Sequence, residues 1–264
     1  RSAWAESEIQ NSGLIEMMGG PCSSVQNFTN YATGTIKGCG SIHSSGGYIE
    51  NKGLIWSMGG SFILSGSDPK KVGVNNSGTL RNSPGTSLTA VFWPSSVPNL
   101  NNQGTIEINA DGAVVFDCNN LNNEPNAVIR LYGGTLSTRT VTHKAGATLE
   151  GFGGVTGNVV IDPNAAVRLT GSANIVGDAK IAEGATLEIG NGTTLITGHT
   201  TCDGTIHMKG GRLIPQGGLS GYCEIIWEPG AYANPADFDL DGKVGMTDFA
   251  AFADTWLWEQ ALLL

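Results

Sequence analysis

Charge is scarce in this chain: 14% of its 264 residues are Asp, Glu, Lys or Arg, and 23 acids outnumber 14 bases. With a pI near 4.8 it offers no basic stripe to displace counterions from a phosphate backbone, which excludes nucleic acid as a partner. The same balance argues against anionic membrane surfaces. No window of 18 apolar residues occurs, so no helix of the sequence spans a bilayer. Histidines are few, and His43, His143, His199 and His207 show neither HxH nor HExxH spacing, so they read as surface or turn residues. Aromatics make up only 7% while Gly reaches 39 residues, a composition that suits disorder or an all-β chain rich in turns. The 40% of apolar residues recur at regular intervals, which favours the all-β reading.

The recurrence is a repeat. "NSGLIEMMGG" from Asn11, "ATGTIKGCGS" from Ala32, "NKGLIWSMGG" from Asn51, "NNSGTLRNSPG" from Asn75 and "NNQGTIEINADG" from Asn101 share one plan, and "NAVIRLYGG", "AGATLEGFGG", "EGATLEIGNG" and "DGTIHMKGG" follow it. Each is a polar turn, a Gly or Ala, a short apolar strand and a second Gly turn. The central apolar residues are Ile15, Ile36, Ile55, Leu80, Ile106, Ile129, Leu149, Leu169, Leu187, Ile206 and Ile225, and their spacing runs 21, 19, 25, 26, 23, 20, 20, 18, 19 and 19. A period near 20 with tolerated insertions marks a solenoid, and it is too short and too rich in Gly and β-branched residues for helical repeats. One such coil holds three short strands, each pairing in parallel with its neighbour about 4.8 Å away. The expected fold is therefore an all-β, right-handed parallel β-helix of about eleven coils over residues 9–230, after an N-terminal segment 1–8. The insertions "SDPKKVGV" and "FWPSSVPNLNN" are expected as loops on one face.

Side chains alternate along a strand, so the residue after each central position points outward. Those residues are Glu16, Lys37, Trp56, Arg81, Glu107, Arg130, Glu150, Thr170, Glu188 and His207. Opposite charges meet at several steps, which specifies register, because like charges opposite one another oppose stacking.

The solenoid texture resembles the secreted parallel β-helices, in particular the Asn/Gly-rich autotransporter passengers and haemagglutinin-type adhesins. That resemblance implies an extracellular or cell-surface location and a role as adhesin, surface-layer or filament subunit. Consistent with export, Ala3-Trp4-Ala5 has the small-x-small form of a signal cleavage site, although an unstructured start explains it as well. In an exported chain five cysteines leave at least one unpaired. Cys202 and Cys223, about one coil apart, can clip adjacent coils; Cys22 with Cys39 is a poorer pair, and five buried thiols is the other reading.

Residues 231–264 change character. "DFDLDGKVGMTD" places Asp237, Asp239 and Asp241 at loop positions 1, 3 and 5, the Lys243 carbonyl at 7 and Asp248 at 12, with Gly242 at the sharp turn. Calcium takes six to eight hard oxygen ligands, and this spacing supplies them, so Ca2+ is the expected cofactor. Phe249, Phe252, Trp256 and Leu257 then form one apolar helical face. A loop followed by a helix, with no entering helix, resembles half of a type I dockerin. The resemblance implies that Met246 and Thr247 contact a cohesin-like partner; dockerins carry two such segments, whereas this chain shows one. The expected partners are other copies of the chain, joined head to tail through open solenoid ends, or such a surface partner.

Dockerin-like tails also accompany β-helical polysaccharide lyases and hydrolases, the competing reading. Those chemistries need paired carboxylates, or a basic residue beside acidic calcium ligands. Asp111, Asp117, Asp162 and Asp178 each sit beside turn residues, which accounts for them without catalysis, so no catalytic set is assigned. Lys70, Lys71 and Trp93 on the insertions are candidates for binding sugar.

Overall fold

The computed structural model describes residues 3–5, 8–24, 27–44, 49–66, 73–92 and 99–228. Every strand pairing among the described residues is parallel, and three ladders run from the first described strands to the last. Strands Ile9–Asn11, Phe28–Asn30, Ile49–Asn51, Val74–Asn76, Leu100–Asn102 and Leu121–Asn123 open the first ladder, which ends at Leu219–Ser220. The second carries the central apolar residues, and the third runs from Ala3–Ala5 to Gly211–Pro215. The 16-residue strand Val128–His143 bends through all three within one coil. Stacking registers Ile15, Ile36, Ile55, Leu80, Ile106, Ile129, Leu149, Val167, Leu187, Ile206 and Ile225 as successive rungs, hence about ten turns of an all-β parallel solenoid.

One rung differs from expectation. Val167, not Leu169, stacks between Leu149 and Leu187. That coil is two residues short, and a slip of two keeps the same face inward, so both side chains are buried and hydrophobicity cannot tell them apart. The outward residue is consequently Arg168 rather than Thr170. The strands that flank the two insertions end at Gly66 and Phe92 and begin at Val74 and Leu100, in both cases the last of the third ladder and the first of the next coil. Residues 67–72 and 93–98, including Lys70, Lys71 and Trp93, lie outside the described residues.

The interior is not purely aliphatic. The inward residue closing each first-ladder strand is Asn11, Asn30, Asn51, Asn76, Asn102 and Asn123, all buried. Each Nδ2 donates to the next Oδ1, at 2.8, 2.8, 2.7, 2.7 and 2.7 Å. The same nitrogens reach backbone carbonyls in the turn and in the following coil, as Asn51 does with Gly53 and Thr79 at 3.2 and 3.1 Å. A buried amide with no partners costs several kcal/mol; a stack of them satisfies every member. The stack also fixes the corner, because the Asn-x-Gly turn must lie flush on its neighbour. A Cβ on Gly53, Gly78 or Gly104 would stand 2.1 to 2.2 Å from the glycine carbonyl one coil back.

Beyond Asn123 the column changes chemistry. His143 takes the next rung, followed by Ile161, Ile181 and Cys202. His143 is thus a fully buried core residue rather than a surface or turn one. Its Nδ1 lies 3.2 Å from Asn123 Nδ2. Asn123 Nδ2 also donates to the Thr148 carbonyl at 2.9 Å, so it is the donor and Nδ1 must accept. The imidazole proton therefore sits on Nε2, which has no partner among the described residues. Burial lowers the pKa of this histidine to about 4, against a weaker opposing pull from Asp162.

Two outcomes are expected. Asn76→Ala strands the Asn51 donor and the Asn102 acceptor inside the rod and should lower unfolding stability by roughly 2–4 kcal/mol in chemical denaturation. Asn11→Ala, at the edge of the stack, should cost less. For His143, the unfolded chain takes up a proton near pH 6.5 and the folded one only near pH 4. Stability should therefore be full above pH 6.5, fall by roughly 3 kcal/mol as pH drops through that window, and level off below it. His143→Asn should continue the amide stack and remove that component from the pH–stability curve.

Candidate functional site

Three outer faces follow from three ladders, and they differ in chemistry. The second ladder carries the charge. Lys37 pairs with Glu16 at 2.7 Å, and Arg81 reaches Glu107 on the next coil. Arg130 lies between Glu107 and Glu150 at 3.8 and 2.8 Å. Arg168 pairs with Glu188 at 3.1 Å, and Lys209 meets the other oxygen of Glu188, also at 3.1 Å. His207 faces Glu228 at 3.3 Å. The Arg81 guanidinium also lies 5.7 Å over the Trp56 ring. Burial pushes the Glu188 carboxyl up, but Lys209 and Arg168 together outweigh it and hold its pKa below the usual carboxylate range. The hydrogen bond to Glu150 raises the Arg130 pKa. With Arg168 on the rung where Thr170 was expected, the sign of charge alternates at every step from Arg81 to Glu188.

At the edge of the charged face, register partners Tyr132 and Phe152 are each 45% exposed. Gly133 leaves room for the Phe152 ring, since a Cβ there would lie 3.1 Å from Phe152 Cε2. The third face is nearly free of charge: the outward column through Ile63, Thr89, Val115, Ser137, Thr156 and Val176 mixes hydroxyls with β-branched methyls.

Cys202 and Cys223 are joined by a disulfide that ties the last two described coils together. Cys202 occupies the rung that asparagine holds earlier, and Cys39 and Cys118 are free thiols, so Cys22 and Cys39 are not bridged. Burial raises the pKa of the Cys118 thiol, which lies 3.6 Å from the Thr138 hydroxyl. The four acids of the turns stay apart. Asp111 takes a left-handed turn position with φ of 55°, Asp162 pairs with Lys144 at 3.0 Å, and Asp178 accepts the His199 main-chain N–H at 2.9 Å. Among the described residues no group of His, Cys, Asp or Glu could hold a metal ion, and no helix is long and apolar enough to cross a membrane. The expected calcium ligands Asp237, Asp239, Asp241, Lys243 and Asp248 lie outside the described residues, as do Met246, Thr247, Phe249, Phe252, Trp256 and Leu257.

The last described coil differs from those before it. Ile225 is 44% exposed, whereas its nine predecessors on the rung from Ile36 to Ile206 are at most 1% exposed. Ile226 and Leu219 beside it are 41% and 40% exposed. At the other end, Leu14 is 59% and Met18 95% exposed.

These features define a class by architecture: a parallel β-solenoid with an amide-stacked interior. No protein-family profile and no curated protein matches the chain. A solved crystal structure, that of a TibC-catalyzed hyper-glycosylated TibA55-350 fragment, aligns with 88% of this chain and 98% of that one. At 15% identity and a TM-score of 0.27, that likeness carries no argument about function.

The charge ladder makes a prediction about register. Arg130→Ala removes two half-buried pairs at the rim of the face and should change stability by no more than about 1 kcal/mol. Arg130→Glu sets three carboxylates in successive coils and should cost more, with the difference shrinking at high salt, as read by thermal unfolding across ionic strength.

Proposed function

We propose that this chain is an extracellular structural protein, an adhesin, surface-layer or filament subunit. It assembles through its solenoid ends and a C-terminal segment held by Ca2+. The observation that carries the reading is the last described coil, where a rung residue buried at nine earlier positions stands open in Ile225. An open parallel edge offers unpaired backbone groups and apolar side chains to another chain, and a contact between unlike ends propagates rather than closing. The disulfide supports an oxidising compartment outside the cytosol. The tail supplies the second element, with Asp237, Asp239, Asp241, the Lys243 carbonyl and Asp248 as calcium ligands and Phe249, Phe252, Trp256 and Leu257 as the apolar face beside the loop.

Electron microscopy of the full chain with calcium should show end-to-end strings. Chelator should disperse them, and Ile225→Lys should prevent them with calcium present. Monodisperse single rods at high concentration in calcium would remove the proposal of end assembly.

A second reading, a sugar-binding module, is favoured by Tyr132 and Phe152, which expose aromatic surface beside the Arg130 and Glu150 pair, the combination that sugar rings stack against and hydrogen-bond to. A glycan array comparing the chain with Tyr132→Ala/Phe152→Ala should show binding that the double variant loses; an array with no bound glycan rejects it.

A further inference from the structure

One corner of the rod carries a constellation that the structural role does not use. Asn158, Asp178 and His199 occupy equivalent turns of successive coils. Asn158 Oδ1 accepts the Asp178 main-chain N–H at 3.0 Å, and Asp178 Oδ1 accepts that of His199 at 2.9 Å. The His199 ring then reaches forward to the next coil. Its Nδ1 lies 2.9 Å from the Gly217 carbonyl oxygen and its Nε2 lies 2.7 Å from Ser220 Oγ. A carbonyl only accepts, so in the neutral imidazole the proton is on Nδ1, and the Nε2 lone pair faces the serine hydroxyl.

We propose that Ser220 and His199 form a nucleophile–base dyad that transfers short acyl groups from esters to water. The requirements are a nucleophile bonded to a base, a base bonded to an orienting group, and donors where the carbonyl oxygen will gain charge. The first two are met at 2.7 and 2.9 Å, with the Gly217 carbonyl as orienting group. For the third, Lys180, Thr201 and Ser220 are register partners on the outward column of the first ladder. This column sets a cation, a hydroxyl and the nucleophile on three successive rungs, with Thr201 next to Ser220 and Lys180 two rungs away, and Lys180 has no ion pair among the described residues. His199, Thr201 and Lys180 line a shallow depression of about 270 Å³ together with Asn158, Val160 and Asp178. Ser220 is not part of its wall, so the depression adjoins the base and can hold the acyl chain of a bound ester, while Lys180 adds positive charge nearby.

In the first step Ser220 Oγ bonds to the acyl carbon as its proton passes to His199 Nε2. The bond to the alcohol oxygen then breaks, and that oxygen takes the proton from Nε2. Water next attacks the acyl carbon as one of its protons passes to Nε2; the bond from that carbon to Ser220 Oγ then breaks, and Oγ takes the proton from Nε2 as the free acid leaves. Both residues are open to solvent, so substrate enters freely and the acceleration is modest for a site that does not exclude water.

The test uses the full chain with an alkyl fluorophosphonate probe, the adduct located by peptide mass spectrometry, and p-nitrophenyl acetate as substrate. The expected result is a single adduct on Ser220, hydrolysis lost in Ser220→Ala, and a rate lower by about 10²- to 10⁴-fold in His199→Ala. Ser172→Ala, at an exposed hydroxyl elsewhere, should react like the unaltered chain. Ser220→Ala leaves the His199–Gly217 contact in place, so an unchanged melting temperature separates loss of chemistry from loss of fold. An unlabelled Ser220, or hydrolysis equal in both variants and the unaltered chain, overturns the proposal. Neither outcome bears on end assembly, which microscopy reads independently.

Discussion

An asparagine side chain buried alone in a β-sheet interior leaves donors and an acceptor without water, and the penalty would unfold a thin rod. Six of them in register reverse that account, because each amide meets the needs of the next. The rest of the N-terminal half depends on this stack. It requires equal coil height and parallel pairing on all three faces, and after Asn51, Asn76 and Asn102 it has glycine at the flush corner. It also has a direction, with every Nδ2 donating toward the C-terminus. Turning one amide over would cost its bonds to both neighbours and to the turn carbonyls, so the column behaves as a unit.

The direction must end somewhere, and it ends at His143. A neutral imidazole accepts from Asn123, and the hydrogen on its far nitrogen has no partner among the described residues. From there the same rung is held by Ile161 and Ile181, and then by a cysteine that trades amide bonding for a covalent tie to Cys223. One architecture is therefore kept by three kinds of interaction along a single column. The outer charge ladder adds little energy per pair but rejects wrong registers, since a slip of one coil would set carboxylate against carboxylate.

Much of this was legible in advance. The period near 20 residues and the outward alternation of sign fixed the coil, the parallel pairing and most rungs, because both signals follow from side-chain direction along a strand. The rung at Val167 was not legible, since Leu169 satisfies the same inward pattern two residues on. The asparagine stack left a trace, Asn or a substitute four or six residues before each rung, but alternate turn lengths hid it among other polar turn residues. His143 looked like any turn histidine for the same reason. The Ser220–His199 contact had no sequence signal, because the two residues are 21 apart and meet only through stacking.

The sequence by itself determined that the chain coils, how long a coil is, and which residues face inward on most rungs. Those properties are local, written in alternation and spacing. Tertiary structure alone decided which polar residues are buried, which cysteines are joined and which side chains from different coils touch. Burial and contact depend on the height and phase of neighbouring coils, and coil length varies by several residues from one turn to the next. Periodicity can show that coils stack; only the stacked coils show what lies above what.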